Sequence, residues 1–294
     1  MDITYFIQQL INGLQLGSVY GLVALGYTMV YGIAKLINFA HGDIIMVGSY
    51  IALVCFTQFN LPLWLTFLIV VLGCSLLGVI IERVAYKPLR NSSRMSALIT
   101  AIGVSLLLEN LFLLLFSSNP RPFTNRFPNT SFMIGDLKLS FLTVATLLIT
   151  IVLMLGLSLF VNKTKMGKAM RAVSEDAGAA QLMGININNT ISLTFAIGTG
   201  LAAAAAILYS STYLQINPYM GSMLGLKAFI AAVIGGIGII PGAMVGGLIM
   251  GIAEALIKSY ISSQLVDAMV FGILIIMLLV KPSGIFGKNV KEKV

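Results

Sequence analysis

Long apolar runs separated by short polar connections dominate the pattern of hydrophobic and polar positions in this chain. Each run is apolar on every side, which is typical of helices in lipid or in the core of a helical bundle. A β-barrel would alternate polar and apolar residues over segments of about ten residues, and the sequence shows no such segments. The pattern therefore predicts an all-α fold. The runs lie at 6–33, 44–59, 63–82, 96–116, 141–161, 191–211, 225–240, 243–258 and 264–280.

The composition extends this prediction to a polytopic integral membrane protein. Hydrophobic residues make up 58% of the 294 residues and charged residues 10%, against about 45–50% and about 25% in soluble domains. A water-soluble enzyme could not hide so much apolar surface, because roughly a quarter of its extended-chain area stays in water. Since a spanning helix needs about 20 residues, we expect about eight or nine transmembrane helices in a single transmembrane domain, 1–294.

One region of the pattern leaves two topologies open. The run 225–240 would form a helix about 24 Å long at ~1.5 Å per residue, which is shorter than the ~30 Å apolar core of a bilayer. Together with the run that follows Pro241, it predicts either two short crossings or a re-entrant pair. Both alternatives keep the later segments on the same side of the membrane.

The distribution of charge predicts the orientation. The formal net charge is +8, and 13 of the 18 basic residues are Lys35 or lie in the connections 83–95 and 162–190 or in the tail after 280, which alternate so as to share one side. By the positive-inside rule that side is the cytoplasm, with an external amino terminus. The loop 117–140, with Arg121, Arg126 and Lys138, fits the opposite side less well. We expect a bacterial inner (plasma) membrane and no nucleic-acid partner, and no cleaved signal peptide, because the first four residues lack a basic region.

Small residues recur at the spacing that lets helices approach closely. Gly13, Gly17 and Gly21 are spaced by four, as are Gly238, Gly242 and Gly246, and then Gly247 and Gly251. Such faces gain dispersion energy when helix backbones pack in lipid. They predict either packing within this chain or contact with a partner membrane subunit.

The connection 162–190 encodes a short helix outside the bilayer. Ser174 is the expected N-cap, Glu175 and Asp176 would stand in the first turn near the positive end of the helix dipole, and Gly184 stands where a C′ glycine belongs. The apolar residues Ala180, Leu182 and Met183 would be exposed unless something covers them. The helix therefore either docks into a groove of a partner or folds back on its own membrane domain.

Several motifs together resemble a known family. Ala179-Ala180 followed by Gly184 is similar to the loop Glu-Ala-Ala-x-x-x-Gly by which ABC-importer permeases engage their ATPase, with Gly178 at the glutamate position. The other motifs are Gly26 to Gly32, Ile37 to Asp43 with Asn38, His41, Gly42 and Asp43, Ile216 to Tyr219, Gly235 to Gly238 and Pro241 to Ala243. Over essentially its whole length the chain resembles the branched-chain amino-acid ABC transporter permease of the LivH type.

The resemblance implies an importer with several components. An extracytoplasmic binding protein would capture leucine, isoleucine or valine, two different permeases would form the path, and two cytoplasmic ATPase subunits would bind ATP and Mg²⁺. This chain would be a non-catalytic subunit that binds no cofactor and has lipid and these proteins as partners. The sequence agrees, because its Gly-Lys pairs at 167–168 and 287–288 lack the earlier glycine of a Walker A motif and have Asn162 and Pro282 there.

Ionisable residues inside the runs are candidate functional groups. Glu109, followed by Asn110, has no local cation, so we expect a role in packing or transport within the bundle. Glu254 and Lys258 have the spacing of a helical ion pair. Lys227 is expected to extend to the membrane surface.

The second run begins with the other polar candidates. Asp43 is the expected N-cap of this helix, and His41, the single histidine, lacks the partners of a metal site or a catalytic dyad. Cys55 and Cys74 are expected to be inert, and no metal site is predicted.

The residues leave the substrate open. A path poor in charge suits branched aliphatic amino acids, but it also suits urea, other amides or nucleosides. A stand-alone secondary transporter, a channel and an intramembrane enzyme are the competing functional classes. The sequence offers no nucleophile–base pair or metal set for the last of these, and the predicted docking helix argues against the first.

Overall fold

The protein folds as a bundle of α-helices in the computed structural model, which describes residues 3–36, 38–90 and 92–287. Within these residues the helices are α1 (Ile3–Ala34), α2 (His41–Thr57), α3 (Leu63–Ile81), α4 (Arg94–Phe116), α5 (Phe141–Lys163), α6 (Lys165–Glu175), α7 (Ala177–Leu182), α8 (Ile187–Tyr213), α9 (Met220–Gly235), α10 (Ile240–Tyr260) and α11 (Val266–Val280). The helix α3 continues through a π-turn, Glu82–Tyr86, and a 3₁₀ turn, Lys87–Leu89.

The membrane-spanning character predicted from composition is confirmed. In the described part of the chain, six helices are long and apolar enough to cross a bilayer, and three shorter apolar helices, α2, α9 and α11, accompany them. These nine helices correspond to the nine predicted runs. The remaining helices, α6 and α7, lie in the connection 162–190, so that connection contains two short helices where one was expected.

Among the residues that the structure describes, four short strands, which the sequence did not predict, lie at one end of the bundle. Strand β1 (Arg121–Pro122) pairs with β4 (Gln215–Ile216), and β2 (Ser131–Ile134) pairs with β3 (Leu137–Ser140), both antiparallel. We call this the strand end. Because α5 begins and α8 ends there, α6 and α7 lie at the opposite end, which we call the α6–α7 end.

Polar side chains define where several helices begin. At each of these starts a side-chain oxygen accepts a hydrogen bond from the backbone N–H three residues later, which satisfies one of the free donors of the first turn. The caps are Ser93 of α4, Ser140 of α5, Thr164 of α6, Asp176 of α7 and Asn186 of α8.

The helices form a buried centre and an exposed shell. The centre consists of α1, α2, α8, α9 and α10, and the residues 202–206 of α8, all alanine, are buried. The shell consists of α3, α4, α5 and α11, which expose large apolar side chains such as Leu72, Leu114 and Leu279. Apolar side chains that face outward along whole helices are suited to lipid.

Glycine faces pack the central helices against each other. A methyl group at Gly17 of α1 would stand 2.8 Å from the carbonyl oxygen of Gly247 of α10, and one at Gly13 would stand 2.7 Å from Cα of Ile252. Gly242 faces Gly235 in the same way, between α10 and α9. The small-residue spacing predicted either packing within the chain or contact with a partner subunit. These glycines pack within the chain.

The region 225–258 forms two separate antiparallel helices, one of them short. Helix α10 is 21 residues long and α9 is 16. The chain turns between them at residues 236–239, where Gly236 and Gly238 have φ of +107° and +93°. Pro241 lies in the first turn of α10, where a proline is tolerated because the N–H of that turn has no helical acceptor.

The two arginines of loop 117–140 bind carbonyl oxygens at the ends of helices. These contacts explain why this side of the protein is also basic. Arg121 donates hydrogen bonds of 3.1 and 3.0 Å to the carbonyl oxygen of Phe116, at the end of α4. Arg126 donates one of 3.2 Å to that of Phe56, at the end of α2. Cations at these positions satisfy free carbonyl groups and the negative end of the helix dipole.

Candidate functional site

The α6–α7 segment connects the spanning helices α5 and α8. Thr164 Oγ1 accepts a hydrogen bond of 3.0 Å from the N–H of Gly167 and starts α6. Asp176 Oδ1 accepts one of 3.0 Å from the N–H of Ala179 and starts α7. The prediction that Ser174 is the N-cap is wrong, because this residue lies in the last turn of α6, where its hydroxyl donates 2.7 Å to the carbonyl of Arg171.

The end of α7 follows the predicted pattern. Gly184 has φ of +82°, a conformation that costs a residue with a Cβ but not glycine. The N–H of Ile185 reaches back to the carbonyl of Ala180 at 3.0 Å, which is the hydrogen bond of a helix closed by a C′ glycine.

Only one side of α7 is covered by the rest of the chain. Ala180 is buried, whereas Leu182 is 90% exposed and Met183 83% exposed. Glu175, Asp176, Ala179 and Gly184 are exposed as well. The two sequence interpretations of this helix each hold for part of it, because Ala180 packs on the chain itself and the two larger apolar side chains do not.

Clefts flank α7 on both sides. One of about 520 Å³ lies between α6 and α7 and includes Lys168, Ala180 and Met183. The other, of about 930 Å³, lies between α7 and the bundle and includes Lys35 and Arg90. Exposed apolar side chains next to clefts that contain charged residues are suited to an interface with a partner protein.

The motif at the start of α2 lies inside the bundle rather than at its surface. His41 is fully buried, and its ring centroid lies 4.6 Å from that of Tyr27 in α1. Asp43 is also fully buried, and it does not cap α2, because the helix begins at His41 and its N-cap position, Ala40, makes no side-chain cap bond. In the described part of the chain neither carboxylate oxygen of Asp43 has a hydrogen-bond partner.

Two helix starts meet at this point. A methyl group at Gly221, in the first turn of α9, would stand 2.7 Å from the carbonyl oxygen of Gly42. Helix α2 runs from this contact to the strand end and α9 runs to the α6–α7 end, so the positive ends of two helix dipoles converge inside the protein. Helix ends in a membrane interior are stable only where protein surrounds them.

Asn38 belongs to a buried polar cluster at the α6–α7 end that sequence reasoning missed. The hydroxyl of Tyr86 donates 2.8 Å to Asn38 Oδ1, and nearby Glu82 pairs with Arg90 and accepts 2.5 Å from the hydroxyl of Ser192. These contacts join the ends of α1, α3 and α8. In the sequence, Glu82 is the last residue of the apolar run 63–82, and this position was the only feature that could have marked it as part of a polar cluster.

The predicted pair of Glu254 with Lys258 does not form. Glu254 Oε1 instead accepts 2.9 Å from Lys227 Nζ, and its Oε2 accepts 2.7 Å from the hydroxyl of Tyr20. Lys227 also lies 2.9 Å from Asp267. The prediction that Lys227 extends to the surface is wrong as well, since only 8% of it is exposed. The cluster joins α1, α9, α10 and α11.

The remaining sequence candidates lie on α2, α3 and α4. Glu109 is half-buried on α4, and Asn110 is exposed, with its amide bonded at 2.7 Å to the carbonyl of Leu106 in its own helix. Cys55 and Cys74 are buried and unpaired. In residues 3–36, 38–90 and 92–287 no three His, Cys, Asp or Glu side chains are grouped so as to hold a metal ion.

Comparison with known proteins identifies the family. A family model described as "Branched-chain amino acid transport system / permease component" matches residues 9–279. The chain belongs to this family. It is 44% identical to the high-affinity branched-chain amino acid transport system permease protein BraD of Pseudomonas aeruginosa, over 100% of this chain and 99% of BraD. It is 45% identical to the permease protein LivH of Escherichia coli K12, over 99% and 98%.

The family resemblance stated from the sequence is thereby confirmed, and so is the prediction of a transport subunit rather than an enzyme. More distantly, the chain is 26% identical to the ribose import permease protein RbsC of Haemophilus influenzae, over 84% of this chain and 76% of RbsC. Among solved structures it is similar to PsaBC from Streptococcus pneumoniae in complex with Fab, with a TM-score of 0.51, 16% identity and coverage of 96% and 97%. That likeness is one of fold. The permease is an integral membrane protein of the ABC transporter family.

Proposed function

We propose that this permease is a membrane-spanning subunit of an ABC importer that carries leucine, isoleucine and valine across the bacterial inner membrane. Its relatives BraD and LivH are named as permease proteins of branched-chain amino acid transport systems. This chain is 44% and 45% identical to them over nearly their whole length. The two helix starts that meet at Gly42 support a transport role. Transporters use helix ends that are buried within a bundle to bind polar solutes at the depth of the membrane.

The single observation that carries the proposal is the uncovered apolar side of α7. Leu182 and Met183 project from a short helix that is anchored to the bundle through Ala180. In this proposal a cytoplasmic ATPase covers them, so ATP and Mg²⁺ are bound by the ATPase and the permease itself holds no cofactor. Movement of the ATPase would then be transmitted through Ala180 to the bundle.

The proposed orientation places the α6–α7 end in the cytoplasm and the strand end outside. Basic residues are concentrated at the α6–α7 end, which the positive-inside rule assigns to the cytoplasm. At the other end, Arg121 and Arg126 donate hydrogen bonds to the last carbonyl groups of α4 and α2. The fold therefore explains these two basic residues. The strand end would then meet the extracytoplasmic binding protein. A second, different permease would complete the path.

Reconstitution of the purified complex tests the proposal. The tagged chain is isolated from its native membrane with the proteins that bind it, inserted into liposomes and supplied with ATP and the binding protein. We expect two kinds of partner, a second permease and soluble ATPases, and ATP hydrolysis that leucine stimulates through the binding protein. Uptake driven by an ion gradient without ATP would contradict the proposal and indicate a secondary transporter. Stimulation by urea or a nucleoside but not by leucine would contradict the substrate.

A further inference from the structure

Two carboxylates, Asp43 and Glu109, lie inside the bundle without a basic partner. Asp43 is fully buried in the first turn of α2, and among the described residues neither of its carboxylate oxygens has a hydrogen-bond partner. Glu109 is half-buried in α4. The ion pairs in the described part of the chain involve other carboxylates. Acidic side chains within membrane-spanning segments are costly, so these two are candidates for a functional site.

The packing of α4 on α2 brings the two carboxylates together. The ring of Tyr50 in α2 lies 4.5 Å from that of Phe116 in α4, between centroids. Both helices run toward the strand end, and Asp43 and Glu109 are each seven residues earlier than these rings, which is about two helical turns. The same register brings Ser105, one turn before Glu109, next to Asp43, and both residues of α4 face this carboxylate.

This group of polar residues reaches the surface of the chain between α4 and α9. Ser222, in the first turn of α9, lies beside Glu109 and is exposed, and the next residue, Met223, is 44% exposed. Glu109 is seven residues before Phe116, so it lies about 10 Å from that end of α4 at ~1.5 Å per residue. The opening is therefore at a depth where the surrounding residues of α4 are apolar. We call Asp43, Ser105, Glu109 and Ser222 the acidic cluster.

The charge balance of the acidic cluster is negative. Asp43 and Glu109 carry two negative charges when they are ionised. The starts of α2 and α9 converge beside them, and each supplies about half a positive charge. About one negative charge is then left without a partner among the described residues, and a buried charge without a partner is costly.

We propose that the acidic cluster binds the ammonium group of the transported amino acid. Glu109, at the surface of the chain, receives this group, and Asp43 lies behind it with two acceptor oxygens that no protein group occupies. The proposal rests on the proposed function, because it makes the side of the chain between α4 and α9 part of the path that a second permease completes.

Other cations could balance the same charge. A divalent metal ion is disfavoured, because within the described ranges no three His, Cys, Asp or Glu side chains are grouped so as to hold one. A proton and an alkali cation are the remaining alternatives. The structure favours an ammonium group, since its three N–H donors match a site made of carboxylates and hydroxyl groups that opens at the surface of the chain. The experiment below separates the three sources.

Photolabelling of the complex of permeases and ATPases in liposomes tests the proposal. The complex is illuminated with a diazirine analogue of leucine, without the binding protein, so that competitors act on the membrane subunits alone. We expect mass spectrometry to find the label on α4 or in the first turn of α9, for instance at Met223. Isopentylamine, which keeps the ammonium group, should prevent labelling, whereas 4-methylpentanoate, which keeps only the carboxylate, should not.

Neutral variants test the two carboxylates directly. Asp43→Asn and Glu109→Gln should each reduce labelling about tenfold, the effect of losing one charge-assisted hydrogen bond. Asp136→Asn, in the exposed turn between β2 and β3, is the matched control for loss of a carboxylate. The labelling that remains in Asp43→Asn should no longer be prevented by isopentylamine at the concentration that prevents it in the wild type. A variant that only folds less well would lose labelling but keep this competition.

Several outcomes would overturn the proposal. Label found only outside α4 and the start of α9 would do so. Labelling that neither Asp43→Asn nor Glu109→Gln changes would mean that a proton balances the cluster, and labelling that requires sodium or potassium would assign the cluster to an alkali cation. If the wild-type complex with binding protein and ATP still imports leucine in these cases, the cluster proposal alone fails. If it imports no leucine at all, the proposed function fails.

Discussion

At the scale of single residues, the buried charges of this permease are organised by tertiary contacts. Lys227 is shared by Glu254 and Asp267, and Tyr20 completes the hydrogen bonds of Glu254. A buried ion pair brings little net stability when it is complete, but removing one partner leaves an uncompensated charge, which costs about 3–5 kcal/mol. The cluster is therefore a sensitive point of the fold.

Replacing Lys227 with methionine should lower the free energy of unfolding by about 3–5 kcal/mol, because Glu254 is then left buried without a cation. The unfolding midpoint of the purified protein measures this. The double variant Lys227→Met/Glu254→Gln should be more stable than Lys227→Met alone, since it removes the uncompensated charge. Lys138→Met is the control for loss of a lysine from the surface. A Lys227→Met midpoint equal to that of the control would contradict this account of the cluster.

Local spacing could not predict the partners of these residues. The sequence pairs Glu254 with Lys258 because they are one helical turn apart, whereas the structure pairs it with Lys227 from another helix. Likewise, Ser174 and Asp176 are both good N-caps, and the extended backbone of Asp176, with φ of −150° and ψ of 107°, decides that the helix starts there. Glycine at position 184 was predictable because its requirement for positive φ is local.

At the scale of the helices, apolar runs predicted which segments are helical but not always where they begin. The run 225–240 became a helix over Met220–Gly235. The apolar residues Ile237 and Ile239 extended the pattern into what is a turn, and the helix start at Met220 lies buried against Gly42. Composition alone cannot distinguish a buried turn from a helix when both are apolar.

The close packing of α1 on α10 should depend on its glycines. Gly17→Val places side-chain atoms against the backbone of Gly247 and Leu248, and overpacking of this kind costs about 1–3 kcal/mol or more. The unfolding midpoint should fall accordingly. Gly103→Val in α4 is the control, because a Cβ there has no atom within 4 Å. Equal midpoints for the two variants would show that the α1–α10 contact is looser than described.

The exposed apolar side of α7 should be required for binding of the ATPase. We expect Met183→Asp to reduce the amount of ATPase that co-purifies by about tenfold or more, because a charge would be buried in an apolar contact. Met133→Asp is the control, since Met133 is 74% exposed at the strand end. Immunoblots of membranes should show equal amounts of both variants. Full ATPase recovery with Met183→Asp would mean that the ATPase does not cover this side chain.

At the scale of the whole molecule, the prediction of a polytopic helical bundle followed from composition and run length. The partition of the bundle into a buried centre of α1, α2, α8, α9 and α10 and an exposed shell did not. All the runs are apolar, so hydrophobicity does not say which helix faces lipid and which faces protein. Small residues were the better guide, since glycine and alanine concentrate in the helices that pack centrally.

The central claim is that the α6–α7 end lies inside the cell, where ATPases can reach it. Single cysteines at Gln181 in α7 and at Thr130 in the strand-end loop, both exposed, test this with a membrane-impermeant thiol reagent on intact cells or spheroplasts. The wild-type chain is the control for labelling, because Cys55 and Cys74 are buried. We predict that Thr130→Cys is labelled from outside, whereas Gln181→Cys is labelled only after the membrane is opened. Labelling of Gln181→Cys from outside would contradict the account.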